Sequence, residues 1–248
     1  LERNDARQRG LTATTAEPKN PSRRSGRKAD VAADSNKRDA ILDTAATLFS
    51  VREFDGTSMR DIAKLAGVSQ SLIHYHYATK EQLFEAVFER HMREMNEHRI
   101  RLIKSFLASV QSGEDREIEE LITIIIKPWV DLTNDAREPA REFAKFVIRS
   151  AYHDDDWSRT VALRYFDDVQ KLGVLAFRAI IPEFDDKAAF RAYFLTLSMF
   201  YMGLSAPRRL AALSGGETDL AQSEALLHHG VVFAAAGIRA LRSETRAK

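Results

Sequence analysis

Ser58-Met59-Arg60-Asp61-Ile62-Ala63-Lys64-Leu65-Ala66-Gly67-Val68-Ser69-Gln70-Ser71-Leu72-Ile73-His74-Tyr75-His76-Tyr77 is the stretch of this 248-residue chain on which the fold turns. Ser58, with Asp61 three residues on, makes a capping-box-like start for a helix. That helix, Met59 to Ala66, carries apolar Ile62, Ala63, Leu65 and Ala66, and it stops at Gly67, a residue able to take the left-handed conformation. Ser69 then caps a second short helix, Gln70 to about His76, whose buried set is Leu72, Ile73 and Tyr77. Two short helices joined by a tight glycine-containing turn make the helix-turn-helix layout, in which the second helix enters a DNA major groove. Gln70, Ser71, His74 and Tyr75 cannot share the face of Leu72 and Ile73, so they project outward, each with a hydrogen-bonding group suited to base edges or phosphates. From Ile62 to Lys80 the chain has no acid, while Lys64 and Lys80 fall inside that window. Carboxylates would be repelled by DNA, so the gap has a physical meaning.

Working outward, Ile41, Leu42, Ala45, Ala46, Leu48 and Phe49 recur at the spacing of one amphipathic helical face, and this first helix is expected from Lys37. Thr79, with Gln82 three positions later, caps a fourth helix to about Gln111. Further helices are expected over Asp115 to about Asn134 with Pro128 as a kink or break, and over Glu138 to Tyr152. One more should run from Asp154-Asp155-Asp156 to before Pro182. Another should run from Asp185 or Asp186 through about Leu213, closed by Gly215-Gly216, and the last from Asp219 through about Leu241. No alternating strand-length segment, hairpin turn or internal repeat is present. The fold class is all-α: an N-terminal three-helix helix-turn-helix domain followed by a larger helical bundle.

Composition narrows the function classes. Hydrophobic residues at 44% and charged residues at 29% exclude wholesale disorder. A net charge of +1 excludes a protein that coats nucleic acid by bulk charge, but not one with a local basic surface. With no cysteine there is no disulfide, thiol nucleophile or cysteine-ligated metal, and a reducing, cytoplasmic setting is the simplest expectation. No apolar run is long enough to span a bilayer, and Leu1 to Asn20 has no signal-peptide core. Residues 1–36 read as a disordered basic leader, with Lys19, Arg23, Arg24, Arg27 and Lys28 clustered and no acid between Glu17 and Asp30. Such an arm could also order along phosphates or in a minor groove.

At the helix-turn-helix a family resemblance becomes specific. Arg38-Asp39-Ala40-Ile41-Leu42-Asp43-Thr44-Ala45-Ala46-Thr47-Leu48-Phe49 resembles the first helix of the TetR family of bacterial transcriptional regulators. Thr57-Ser58-Met59-Arg60-Asp61-Ile62-Ala63 and Ala66-Gly67-Val68-Ser69 resemble that family's second helix and turn. His74-Tyr75-His76-Tyr77-Ala78-Thr79-Lys80-Glu81-Gln82-Leu83 resembles the end of its recognition helix and the start of its fourth. The resemblance implies that Ser58 and Arg60 meet the DNA backbone or a base, and that Gln70 and Ser71 read base edges. It implies that His74 and Tyr75 contact bases or phosphates, His76 a phosphate, and Lys80 a phosphate with help from the N-terminal dipole of the fourth helix. The chain departs from the family where Glu53 replaces a common glycine, so that a left-handed cap there would cost about 1 kcal/mol. It departs again at Ser71, where Gly or Pro is common, at His74 for Tyr and at Tyr77 for Phe.

The resemblance further implies three segments: the leader 1–36, a DNA-binding domain 37–88 whose fourth helix continues to about 111 as the link, and an effector-binding and dimerisation domain 112–248. It implies a homodimeric repressor released by an effector from a pseudo-palindromic operator with half-sites about 34 Å apart or slightly more. The last two helices, through Phe194, Leu197, Ser198, Tyr201, Leu227, Val231, Ala234, Ala235 and Ile238, fit a four-helix dimer interface. Aromatic residues concentrate in the second half. Trp129, Phe143, Phe146, Trp157, Phe166, Phe177 and Tyr201 are the candidate lining of a pocket for a hydrophobic or aromatic effector. Arg149, Arg164, Arg178 and His153 could meet an anionic group on it, and Arg149 is carried in the candidate set. His91, Glu94 and His98 share one helical face, which reads as solvated surface, since a bundle-type metal site needs Glu-x-x-His pairs from two helices and the sequence contains none. No catalytic motif is present, and neither enzyme activity nor a cofactor is expected. The alternative is a helical small-molecule-binding or scaffold protein whose helix-turn-helix is structural.

Overall fold

A computed structural model describes residues 22–151, 153, 156–205, 207–215 and 223–246, with side chains from Asp34 onward except at 207, 208 and 223. Residues Leu1–Lys37 and Arg38–Lys248 are two units, each described by itself. All regular structure among the described residues is helical. Helix α1 (Ser22–Arg52) begins upstream of the expected start at Lys37, directly after Pro21. Its first turns are rich in Arg, Lys and Ala, which favour helix over the unstructured leader expected to residue 36. Residues 1–21 of that leader lie outside the described residues.

The amphipathic reading of α1 holds residue by residue: Ile41, Leu42, Ala45, Ala46, Leu48 and Phe49 are all buried. Its end is closed in an unusual way. Glu53 takes φ 60, the one non-glycine residue with positive φ among the described residues. Thr57 is buried and its hydroxyl donates to the carbonyls of Glu53 at 2.7 Å and Leu48 at 3.3 Å, satisfying groups that the last helical turn leaves open. Helix α2 (Met59–Ala66) is capped by Ser58, whose hydroxyl accepts from the Asp61 amide, and it ends at Gly67 with φ 66. Ser69 caps α3 (Gln70–His76) through the Leu72 amide. Thr79 caps α4 (Lys80–Gln111) through the Gln82 amide, and the Gln82 side chain reaches back to the Ala78 amide at 3.0 Å. Ile62, Ala63, Ile73, Tyr77, Leu83, Phe84 and Val87 bury against the α1 face. Leu65, an apolar member of α2, is instead 61% exposed.

The larger part is built around α5 (Ile118–Thr133), which packs on α4, α6 (Glu138–Ser150), α8 (Asp167–Ile180), α9 (Asp186–Ser205) and α11 (Ser223–Arg246). Helix α5 is apolar on nearly every side, as a helix enclosed by others must be. It runs through Pro128 without a break, because packing on all sides outweighs one lost backbone hydrogen bond. The single helix expected up to Pro182 is two helices, α7 (Asp156–Tyr165) and α8. Phe166 turns inward between them against Trp129 and Phe88, and Asp167 and Asp168 supply the acids that favour a new N-terminus. The helix expected through Leu213 is likewise divided into α9 and α10 (Pro207–Leu213), with Pro207 at the first position of the second piece. Tyr152, Asp154, Asp155, Gly216 and Asp219, read as helix ends or starts, lie outside the described residues.

Candidate nucleic-acid interface and effector pocket

Four capped or left-handed positions fix the α2–α3 pair, so the outward face of α3 is set by backbone geometry. Gln70, Ser71, His74 and Tyr75 are all exposed, Tyr75 at 81%. Gln70 and His74 stand one turn apart with their side-chain nitrogens 3.5 Å from each other, and the Ser69 and Ser71 hydroxyls lie at 3.0 Å. Ser58 and Arg60 are exposed at the start of α2, where the Ser58 hydroxyl also serves as the cap. His76 is half-buried. Lys80 departs from expectation. Its ammonium donates to the Phe54 carbonyl at 2.9 Å and sits 4.2 Å from the centre of the Phe54 ring. The family resemblance implies an outward phosphate contact helped by the helix dipole, but a carbonyl and an aromatic face 26 residues away hold the charge inward.

In the helical bundle a cavity of about 380 Å³ opens between α5, α6, α7 and α9. Of the eight residues read from sequence as effector-binding, Trp129, Phe166 and Tyr201 line it. The other five do not. Phe143, Phe146 and Phe177 are buried in the core. Trp157 stacks on Phe54 with ring centres 4.8 Å apart, and Arg149 donates to the Ser50 carbonyl at 2.7 Å. Arg164 and Arg178 form ion pairs with Glu85 and Asp186. His153, by contrast, does line the cavity. Sequence reasoning passed over Tyr193, Phe190, Ser158 and Gln170, which also form the wall. They come from α7, α8 and α9, and no linear spacing joins residues on separate helices. His91, read as solvated, has a side chain only 5% exposed and lies 5.9 Å from the Phe143 ring.

Sequence comparison bears on both halves. The profile of "Bacterial regulatory proteins, tetR family" matches residues 41–87, and that of "Tetracyclin repressor-like, C-terminal domain" matches residues 123–237. Together they take in about two thirds of the chain. The chain belongs to the TetR family. Among curated TetR-type relatives, the biofilm operon icaADBC HTH-type negative transcriptional regulator IcaR of Staphylococcus epidermidis is 38% identical over 52 residues, 21% of this chain. The chain spans only 28% of that relative's length. In fold it is similar to a TetR-family transcriptional regulator structure from Mesorhizobium loti, at TM-score 0.50 and 18% identity, covering 82% of this chain and 96% of that one. A Clostridium perfringens structure described as a fatty acid metabolism regulator superposes at TM-score 0.51 and 18% identity, covering 80% and 97%.

In this TetR-family chain the helical bundle meets the helix-turn-helix at one short loop. Residues 53–57 follow α1, and three contacts reach them or the end of α1 from the bundle. These are Arg149 to the Ser50 carbonyl, His153 to Glu53 at 4.0 Å, and Trp157 on the Phe54 ring. From the other side Lys80, the first residue of α4, holds the Phe54 carbonyl. No helix among the described residues is long and apolar enough to cross a membrane.

Proposed function

We propose that this chain is a sequence-specific DNA-binding transcriptional regulator, a repressor released from a pseudo-palindromic operator by a small apolar effector. The observation that carries the reading is the outer face of α3, where Gln70, Ser71, His74 and Tyr75 stand exposed on a doubly capped helix within an acid-free stretch. Residues 37–88 form the DNA-binding domain in this reading, α4 is the link, and residues 112–248 bind the effector and dimerise. Gln70 and Ser71 read base edges; His74 and Tyr75 contact bases or phosphates; Ser58, Arg60 and His76 serve the backbone. Lys80 acts on DNA indirectly, by fixing the Phe54 loop. The relative IcaR is a negative regulator by name, and it supports the repressor sign through a match over 52 residues.

A salt-dependent gel-shift against the DNA upstream of the chain's own gene tests the reading. Wild type should form a discrete complex whose affinity falls steeply with salt. Gln70→Ala should relax base preference by about 1–3 kcal/mol at the position it reads. If wild type and Gln70→Ala bind specific and scrambled DNA equally weakly, the helix-turn-helix is structural and the chain is a helical ligand-binding or scaffold protein.

A further inference from the structure

The strongest unexplained feature of the bundle is Arg99. It sits on α4, is 1% exposed, and no carboxylate among the described residues lies within ion-pairing distance of it. Its one hydrogen bond is long, 3.4 Å from Nη1 to the Asn96 side-chain oxygen, and its Nε has no acceptor. The guanidinium lies 5.6 Å from the centre of the Trp129 ring, a cation–π contact that softens the burial of charge without neutralising it. Buried charges in folded proteins are paired, so a lone one needs an account.

Two neighbours share the deficit. Trp129 and Tyr193, 1% and 3% exposed, leave Nε1 and Oη buried with no hydrogen-bond partner among the described residues. Burial pushes the Tyr193 phenol up while the positive charge of Arg99 draws it down. The Tyr193 ring is fixed there by Gly173, where an added Cβ would fall 2.3 Å from the ring. Trp129 and Tyr193 are both wall residues of the 380 Å³ cavity. Around it stand Val161, Phe166, Phe190, Phe194 and Leu197, and no aspartate or glutamate contributes to the lining. The cavity has an apolar body and no acid, and its wall residues Trp129 and Tyr193, each with a donor short of an acceptor, stand between it and the buried charge of Arg99.

We propose that the cavity binds an apolar organic acid, its carboxylate seated at the Trp129–Tyr193 wall against the charge of Arg99 behind it and its hydrocarbon part held by Phe166, Phe190 and Phe194. The carboxylate supplies the missing counter-charge to Arg99 and an acceptor to the Tyr193 hydroxyl and the Trp129 indole. This rests on the reading of the cavity as the effector site and names the effector's class.

The test uses the full chain at pH 8 and a matched pair of probes, decanoate and 1-decanol, titrated by calorimetry. Wild type is expected to bind decanoate at least about tenfold more tightly than 1-decanol, the usual scale of a charge-assisted contact. Arg99→Met, which keeps the volume and removes the charge, should erase that preference while 1-decanol still binds. Tyr193→Phe, a smaller change, should lower it several-fold, and it decides the matter if Arg99→Met does not fold. Equal binding of the two probes by wild type overturns the acid assignment and leaves the pocket standing. A preference for decanoate that survives both substitutions places the anion elsewhere and overturns it as well. Binding of neither probe overturns the pocket reading together with the proposal.

Discussion

At His91 burial and charge act in opposite directions, and the balance sets a pH dependence. Burial holds the imidazole down to about 4, against the partial support of Asp43 at 3.9 Å, with Arg90 and Arg137 adding to the depression. The folded protein therefore carries His91 neutral at pH 7. Because the folded value lies below the ordinary 6.5, the unfolded chain binds the extra proton first as pH falls. Stability from this site is complete above about pH 6.5 and is lost progressively toward pH 4, by at most about 3 kcal/mol. Urea melts at pH 7.5 and pH 5 should show the loss, and His91→Leu should flatten it. Neither ring nitrogen has a hydrogen-bond partner among the described residues, so the leucine variant should be no less stable at pH 7.5. A variant that keeps the full wild-type slope would assign the acid sensitivity to other groups. Glu53 offers a second check. Its φ of 60 is a conformation that glycine adopts freely, so Glu53→Gly should raise the unfolding free energy by up to about 1 kcal/mol in a denaturant titration. A loss instead would show that the Glu53 side chain, near His153, contributes more than its backbone costs.

Among the elements, the joint between α6 and the end of α1 is one of the three contacts through which, in the proposed reading, a filled cavity would act on the helix-turn-helix. Arg149 donates to Ser50 from the last turn of α6, whose Val147 and Ser150 line the cavity. Arg149→Ala removes that strap while leaving the cavity wall intact. With a bound acid, the ratio of operator affinities without and with ligand should shrink from wild type by about fivefold or more, the low end of ordinary allosteric coupling. Ligand affinity itself should stay unchanged in the absence of DNA, and an unaltered ratio in the variant would take the strap out of the mechanism. The same joint shows what sequence could and could not reveal. The helix-turn-helix was legible because its signals are local: Ser58, Gly67, Ser69 and Thr79 each act on backbone within a few residues. The cavity was half legible, since aromatic composition pointed to Trp129, Phe166 and Tyr201 but could not separate them from Phe143 and Phe177, which only fill the core. Charge points Arg149 toward an anionic ligand, and the family resemblance points Lys80 toward a phosphate. Their partners, Ser50 and Phe54, lie 99 and 26 residues away, beyond the reach of any local pattern.

For the whole molecule, an operator with two half-sites demands two copies of α3 held at a fixed separation, and the bundle must supply the contact. Part of the apolar face expected to make that contact is spent inside the chain: Leu197, Val231, Ala234, Ala235 and Ile238 are buried, while Phe194 of the same face is 56% exposed. Beside it a further stripe stays outward. On α9, Leu195 and Met202 are 57% and 42% exposed; on α11, Val232 and Phe233 are 54% and 73% exposed, with Ala236 and Gly237 following on the open side. The α11 positions fall at i, i+3 and i+4 spacing and the α9 pair at i, i+7, the pattern that packs one helix pair against its two-fold copy. Leu195 lies outside the cavity lining, so it can be altered without touching the proposed ligand site. Leu195→Glu with Phe233→Glu places like charges across any two-fold contact on this stripe, and sedimentation should find a monomer where wild type is a dimer. Each monomer keeps its α3 and should still bind a half-site with wild-type base preference. Affinity for the full operator should fall by about a hundredfold or more, because the second half-site no longer gains from being tethered to the first. A double variant that sediments as a dimer and keeps its operator affinity would put the two-fold contact on another face of the bundle.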